Sequence, residues 1–335
     1  MIKRVLVAIM ILALAATLAG CGQKDAKTAD QKTAAKLNFR LAEMHPPDHP
    51  TAQADKEFAK LVADRSQGRI KIDVFVGAQL GEEKAIIEQV QLGAIEFARV
   101  SSGPLGEFNK QLGVFSLPYI FNSDDHMWKY LNGPGGEKML KDLETSKFVG
   151  LAYFTAGSRN FYSKKPITKL EDLSGMKVRV IQNKINIDMI QALGGSATPM
   201  PAGEVFSGLQ TGVIDAAENN WPTFSSSNHY QVAKYWISDA HQRVPEMLIM
   251  SKAAWDKLSD DDKKLIKQAA ADSVKIQREL WAKSDKEAEA KVRAAGVSVI
   301  EVKDLKPWQD AVKPVIEKYG TEYKETLAAI AEAGK

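Results

Sequence analysis

With 335 residues, 44% of them apolar and 26% charged, the chain is too long for one small core and fits two lobes of ordinary domain size, and its composition excludes global disorder. A formal net charge of +3 leaves no electrostatic case for nucleic acid as a partner. The single cysteine, Cys21, excludes an internal disulfide.

At the N-terminus, Lys3-Arg4 precede an apolar run over residues 5–18, which ends in Leu18-Ala19-Gly20-Cys21. The run is shorter than the ~20 apolar residues of a membrane span and closes on small residues, as a cleavage site does. It resembles a bacterial lipoprotein signal. That implies a signal peptide over 1–20, Cys21 as the lipidated first residue, and an extracytoplasmic protein held to the cell membrane by a lipid anchor. From Gly22 to Lys36 there is no aromatic and no branched aliphatic residue, so 21–36 reads as a flexible tether.

Residues 37–44 suit a short strand, and His45-Pro46-Pro47-Asp48-His49-Pro50 is a loop, because three prolines forbid both helix and interior strand. A helix burying Ala54, Phe58, Leu61 and Val62 stops at Gly68. Ile70, Ile72, Val74 and Val76 alternate as a strand, and Gly81-Glu82-Glu83 opens a helix with acids at its positive end. Residues 114–121, interrupted by Pro118, read as a buried loop or edge. Gly133-Pro134-Gly135-Gly136-Glu137-Lys138 lacks the Walker spacing, and Met139 stands where a magnesium-binding hydroxyl would follow the lysine, so it starts a helix and no cofactor is expected. Strands follow over 148–154 and from Arg159 to Ser163, and the small residues 156–158 between them suit a crossing between lobes.

Val178 and Val180 flank Arg179 in a strand over 177–181, where an arginine near the strand end can reach a cleft. Ile187, Ile190 and Leu193 have helical spacing that Gly194-Gly195 ends. Pro199 and Pro201 set a rigid approach to a second helix through Val205, Phe206 and Leu209. Gly212 ends that helix, and Val213-Ile214 starts a strand, so one αβ unit between two strands suits a parallel sheet. Gln91-Leu92-Gly93-Ala94-Ile95-Glu96-Phe97-Ala98 partly matches Gln210-Thr211-Gly212-Val213-Ile214-Asp215-Ala216-Ala217. Either both lobes share this unit, or helix-glycine-strand junctions simply look alike. In the first case Arg99 to Ser101 and Glu218 to Asn220 occupy equivalent strand ends, beyond which ligands of open α/β sheets bind. A strand over 247–251 can return to the first lobe. One long helix over 261–294, opened by a capping box at Ser259, would span ~50 Å and bridge both lobes. A strand over 297–302 and a helix over 307–319 close the chain.

Gln79-Leu80-Gly81-Glu82-Glu83, Leu117-Pro118-Tyr119-Ile120-Phe121, Gly175-Met176-Lys177-Val178-Arg179-Val180 and Gly212-Val213-Ile214-Asp215-Ala216-Ala217-Glu218-Asn219 together resemble the extracytoplasmic substrate-binding proteins of tripartite ATP-independent periplasmic (TRAP) transporters, dicarboxylate-binding type. The resemblance implies an α/β, two-lobed periplasmic-binding-protein-like fold with a hinge and a long bridging helix: 37–156 and 245–284 in the first lobe, 157–244 and 285–335 in the second, ligand between them. It implies Arg179 as the main partner of the ligand carboxylate, Arg159 as a second arginine, Asn219 as an amide contact, and Glu83 and His45 as first-lobe contacts. Phe206 departs from the family's usual tyrosine and removes a hydroxyl there. A planar guanidinium independently suits Arg179 to this role, since it meets a carboxylate with two parallel hydrogen bonds.

The expected function is that of a monomeric binding protein that captures a small organic acid, a sugar acid such as a uronate or a C4-dicarboxylate, and delivers it to integral-membrane permease subunits. The segments Val100-Ser101-Ser102-Gly103-Pro104 and Phe121-Asn122-Ser123-Asp124-Asp125-His126 lean toward sugar acids. A ligand-presenting subunit for a receptor or sensor kinase is an alternative on the same fold. A tethered hydrolase is another, but no Gly-x-Ser-x-Gly elbow or HExxH helix is present, so no catalytic residue is assigned. The prolines between His45 and His49 prevent one-face ligand spacing, so no metal is expected.

Overall fold

In the computed structural model, which describes residues 36–335, the chain folds around two sheets. The signal peptide, Cys21 and the tether through Ala35 lie outside the described residues. Strands β1 (Leu37–Ala42), β2 (Ile70–Phe75), β3 (Phe97–Ser101) and β4 (Phe148–Phe154) belong to the first sheet. Strands β5 (Arg159–Ser163), β6 (Lys177–Val180), β7 (Ser196–Pro199), β8 (Ala216–Asn219) and β9 (Tyr235–Gln242) belong to the second. Strand β10 (Glu246–Ser251) returns to the first sheet and β11 (Ser298–Glu301) completes the second. The orders are β2-β1-β3-β10-β4 and β11-β9-β5-β8-β6-β7.

Both sheets repeat one plan. A βαβαβ unit sets its third strand beside its first, β3 parallel to β1 and β8 parallel to β6. An antiparallel strand then flanks the third, β10 against β3 and β5 against β8. The partial sequence repeat falls on this third strand and the turn before it, where Gly93 and Gly212 take left-handed φ values of +78° and +79°, a conformation that favours glycine. The two lobes therefore share the unit, and the ends of β3 and β8 are equivalent.

Alternation along β10 shows how the first core is built. Met247 and Ile249 join Ile86, Phe115 and Trp128 on one face of the sheet. Leu248 and Met250 join Phe58, Phe97 and Ile266 on the other. A strand buried on both faces has no polar side, which is why residues 247–250 read as a continuous apolar run between Glu246 and Ser251. In the second lobe Val178, Val180 and Trp308 share one cluster and Leu209, Phe224 and Trp236 another.

The long helix runs Asp260–Ala294, and its N-cap Ser259 accepts a hydrogen bond from the Asp262 backbone N–H. Ile266 and Ala270 pack in the first lobe and Val292 in the second, so the helix joins the two.

The structure corrects three expectations. The approach through Pro199 contains strand β7, paired with β6 from Lys177↔Ser196 to Val180↔Pro199; it lies at the sheet edge, where a proline is tolerated. The chain does not close with the helix after Pro307, because a further helix, Lys324–Ala333, follows. Nor does 285–335 belong wholly to the second lobe. Ile330 joins the first-lobe cluster with Trp128, and His126 Nε2 hydrogen-bonds Ile330 O at 2.6 Å.

Candidate functional site

The ends of β3, β6 and β8 and the start of β5 surround a cavity between the lobes, about 730 Å³ of empty space including its mouth. All five expected residues, Arg179, Arg159, Asn219, Glu83 and His45, line it. Arg179 is buried, held by β6 between Val178 and Val180, which pack into the second-lobe core. Its Nε and Nη2 donate to Met200 O at 3.0 and 2.9 Å. This differs from a guanidinium with every donor free. One edge is fixed by a carbonyl, and the outer pair, Nη1 and the second hydrogen of Nη2, is left for a ligand, in the parallel geometry a carboxylate matches.

Arg159 is already paired. Its Nε contacts Glu218 Oε2, Nη2 donates to Glu218 O at 2.9 Å, and Nη1 donates to Asn219 Oδ1 at 3.3 Å. Burial alone would raise the Glu218 carboxyl, but Arg159 and His241 outweigh it and hold it at about 2. Behind it, His241 Nδ1 lies 2.7 Å from Asp239 Oδ2, and the two acids lift His241 to about 9 against the effect of its burial. Asn219 Oδ1 also accepts from Asn220 N at 2.9 Å, so both sides of its carbonyl are fixed.

The first-lobe wall is built on a residue that was not foreseen as a contact. Arg99, buried on β3, donates from Nε to Glu43 Oε2 at 2.7 Å and from Nη1 to Glu246 Oε2 at 2.5 Å, and its Nη2 contacts Glu43 Oε1. Glu83 Oε1 accepts from Ser101 N at 2.6 Å and lies 3.6 Å from Arg99 Nη1. Burial pushes the Glu83 carboxyl up to about 7, with Arg99 opposing and Glu246 adding to the rise. His45 donates its backbone N–H to Glu43 Oε1 at 2.6 Å. Its ring stacks on His49, centroids 3.8 Å apart and planes within 4°. His49 Nδ1 accepts from Thr51 N, which caps the helix Pro50–Arg65, and its Nε2 reaches Thr223 Oγ1 of the second lobe at 3.3 Å. Among the described residues no group of three or more His, Cys, Asp or Glu is placed to hold a metal ion.

Sequence reasoning missed Glu43, Glu246, Thr223, His229 and Trp281, which complete the site or its supports. Glu246 lies 147 positions from the arginine it pairs with, and no local pattern marks such a pair. The one available signal was the placement of Arg99 at a strand end equivalent to that of Glu218.

Residues 41–322 match the family model for bacterial extracellular solute-binding protein, family 7. The chain belongs to that family. It is an extracytoplasmic solute-binding protein of the TRAP type. A solute-binding protein of Chromohalobacter salexigens is 38% identical over 301 residues, 90% of each chain. Among solved structures, a TRAP periplasmic solute-binding protein of Pseudomonas putida F1 with bound D-glucuronate is 42% identical, with a TM-score of 0.86 over 88% of this chain and 97% of that one. One of Xanthobacter autotrophicus Py2 with bound β-D-galacturonate is 41% identical, with a TM-score of 0.85 over 87% and 98%.

Proposed function

We propose that this TRAP-type protein captures a hexuronate, D-glucuronate or D-galacturonate, as a single-carboxylate ligand and delivers it unconverted to membrane permease subunits. The observation that carries this reading is the asymmetry of the cavity. Its second-lobe side offers the outer guanidinium pair of Arg179, while on the first-lobe side the cation among the described lining residues, Arg99, is held by Glu43 and Glu246 with Glu83 beside it. One carboxylate is attracted to Arg179. The second carboxylate of a C4-dicarboxylate would face Glu83 and Glu246, whereas sugar hydroxyls find acceptors there. The uronates held by the two solved relatives support the same class. In this reading Arg159 and Asn219 shape the carboxylate end, and Glu83 and His45 meet hydroxyls.

Titration calorimetry with D-glucuronate, D-galacturonate and succinate tests it. Both uronates are expected to bind and succinate to bind far more weakly; succinate binding as tightly as either uronate would overturn the assignment. Arg179→Ala is expected to lose ~3–5 kcal/mol of uronate binding by leaving the carboxylate without its partner. That is about two to three and a half powers of ten in Kd. Arg179→Lys keeps charge but loses the fork and falls between.

We also propose that Cys21 carries the membrane anchor, two acyl chains being sufficient for stable attachment where one is marginal. Mass spectrometry of membrane-extracted protein should show a mature chain beginning at a diacylated Cys21. An unmodified cysteine or a different first residue would overturn the anchor.

A further inference from the structure

His229 lines the cavity beside Arg179, and neither the sequence motifs nor the roles assigned above use it. It opens a short turn, His229–Gln231, is only 2% exposed, and is fixed from behind by Tyr162, whose Oη lies 2.8 Å from its Nδ1. Tyr162 is itself wholly buried on β5, packed against Phe224 and Trp236. Its phenol has no hydrogen-bond partner among the described residues other than His229 Nδ1.

That single contact decides the tautomer. If Nδ1 carried the imidazole proton and donated to the phenol oxygen, the phenol proton would be buried without an acceptor, an arrangement that costs the full desolvation of the group. With the phenol donating to Nδ1, both protons are used and the imidazole N–H sits on Nε2. An imidazolium is disfavoured as well: burial and the neighbouring Arg179 charge push His229 down to about 3. Nε2 has no protein partner among the described residues, on a side chain that borders the ligand cavity.

We propose that Tyr162 holds His229 as a neutral Nε2–H donor into the cavity, and that this donor is a specificity-determining contact to an oxygen of the bound acid alongside Arg179. The ligand class rests on the uronate reading above; the state of His229 does not. An uncharged donor adds direction without adding a second cation, so it fixes the orientation of a carboxylate or ring oxygen while leaving the site suited to one negative charge. Tyr162 is a positioning residue that acts through His229.

The test uses the full chain with ¹⁵N-labelled histidine. In the ligand-free wild type, NMR should show His229 neutral, with the proton on Nε2, through the pH range where an ordinary histidine titrates. Adding D-glucuronate should shift the Nε2–H signal. Tyr162→Phe should release the tautomer, giving a mixture. By calorimetry, His229→Phe should weaken D-glucuronate binding by about 10- to 100-fold. An Nδ1–H tautomer, an imidazolium at neutral pH, or His229→Phe binding within about two-fold of wild type would overturn the inference. Should His229→Phe fail to fold, the wild-type tautomer and its response to ligand decide alone. The two readings fail separately: a wild type that gives no heat with either uronate removes the ligand assignment, while the tautomer of the free protein still stands or falls by NMR.

Discussion

Glu83 is placed where opposing effects nearly balance. Burial raises its carboxyl, Arg99 at 3.6 Å lowers it, Glu246 raises it again, and the Ser101 N–H lowers it, for a result of about 7 against an ordinary 4.5. Near neutrality the group is therefore close to its midpoint, and when protonated it can both donate to and accept from a sugar hydroxyl. The same shift is a statement about stability. Between about 4.5 and about 7 the folded protein holds a proton that the unfolded chain has already lost, so the unfolded state binds fewer protons and stability falls as pH rises. The contribution is fully present below the unfolded value and is lost by passage through the folded one. Its size is on the order of 3 kcal/mol. Urea unfolding of ligand-free wild type and Glu83→Gln at pH 5 and pH 8 checks it. The wild type should lose more stability than the variant between the two pH values. His241, also raised, titrates in both proteins and cancels in the comparison. Equal losses would mean that Glu83 is not linked to folding.

The first crossing between sheets is tied to the long helix through a buried side chain, Gln277. Gln277, wholly buried, donates from Nε2 to Thr155 O and accepts from Thr155 N, both at 2.9 Å. Two backbone groups just after β4 thus find partners on a helix 122 positions away, and Gly157, at φ +59°, turns the chain into the second sheet. Leucine has much the same helix propensity as glutamine, so Gln277→Leu should leave helix content unchanged by far-ultraviolet circular dichroism. It should nevertheless lower the unfolding free energy by about 2–5 kcal/mol, because both Thr155 groups stay buried and unpaired. An unchanged urea midpoint would show that the crossing does not need this clamp. Elements with strong local signals were legible in sequence: the alternation of β2, the serine cap and length of the bridging helix, and the valine-flanked β6. Strand β7 was not legible, since Ser196-Ala197-Thr198-Pro199 is held by pairing to β6 rather than by an apolar face. In the cavity Arg179, Arg159 and Asn219 could be read because motifs surround them. The Glu43–Arg99–Glu246 wall could not, because its members come from three separate segments and only the fold brings them together.

Across the whole molecule the connections between lobes are unevenly distributed. On the crossing side Arg243 Nε donates to Asp124 Oδ1 at 2.8 Å, Gln242 Nε2 donates to Ser116 O, and Asn183 Nδ2 donates to Ser116 Oγ at 3.2 Å. At the cavity the direct hydrogen-bond bridge among the described residues is the long contact of His49 with Thr223, and Glu82 of the first lobe sits against Gly203 of the second. A ligand held at once by Arg179 and the Glu83 wall would add its own hydrogen bonds on the weakly bridged side, and so would favour the closed arrangement by its difference in affinity for the two states. Solution scattering should accordingly give a smaller radius of gyration with saturating D-glucuronate than without it. Gly203 provides a second arm of the test. A Cβ there would only displace the flexible Glu82 carboxylate, but the ring of Gly203→Phe is too bulky to be met that way and should hold the lobes apart, weaken binding, and abolish the ligand-induced decrease while leaving both cores intact. If wild type bound uronate with no change in radius of gyration, or if Gly203→Phe closed and bound as wild type does, the two lobes would not act as a hinged pair and the cavity would have to fill by another route.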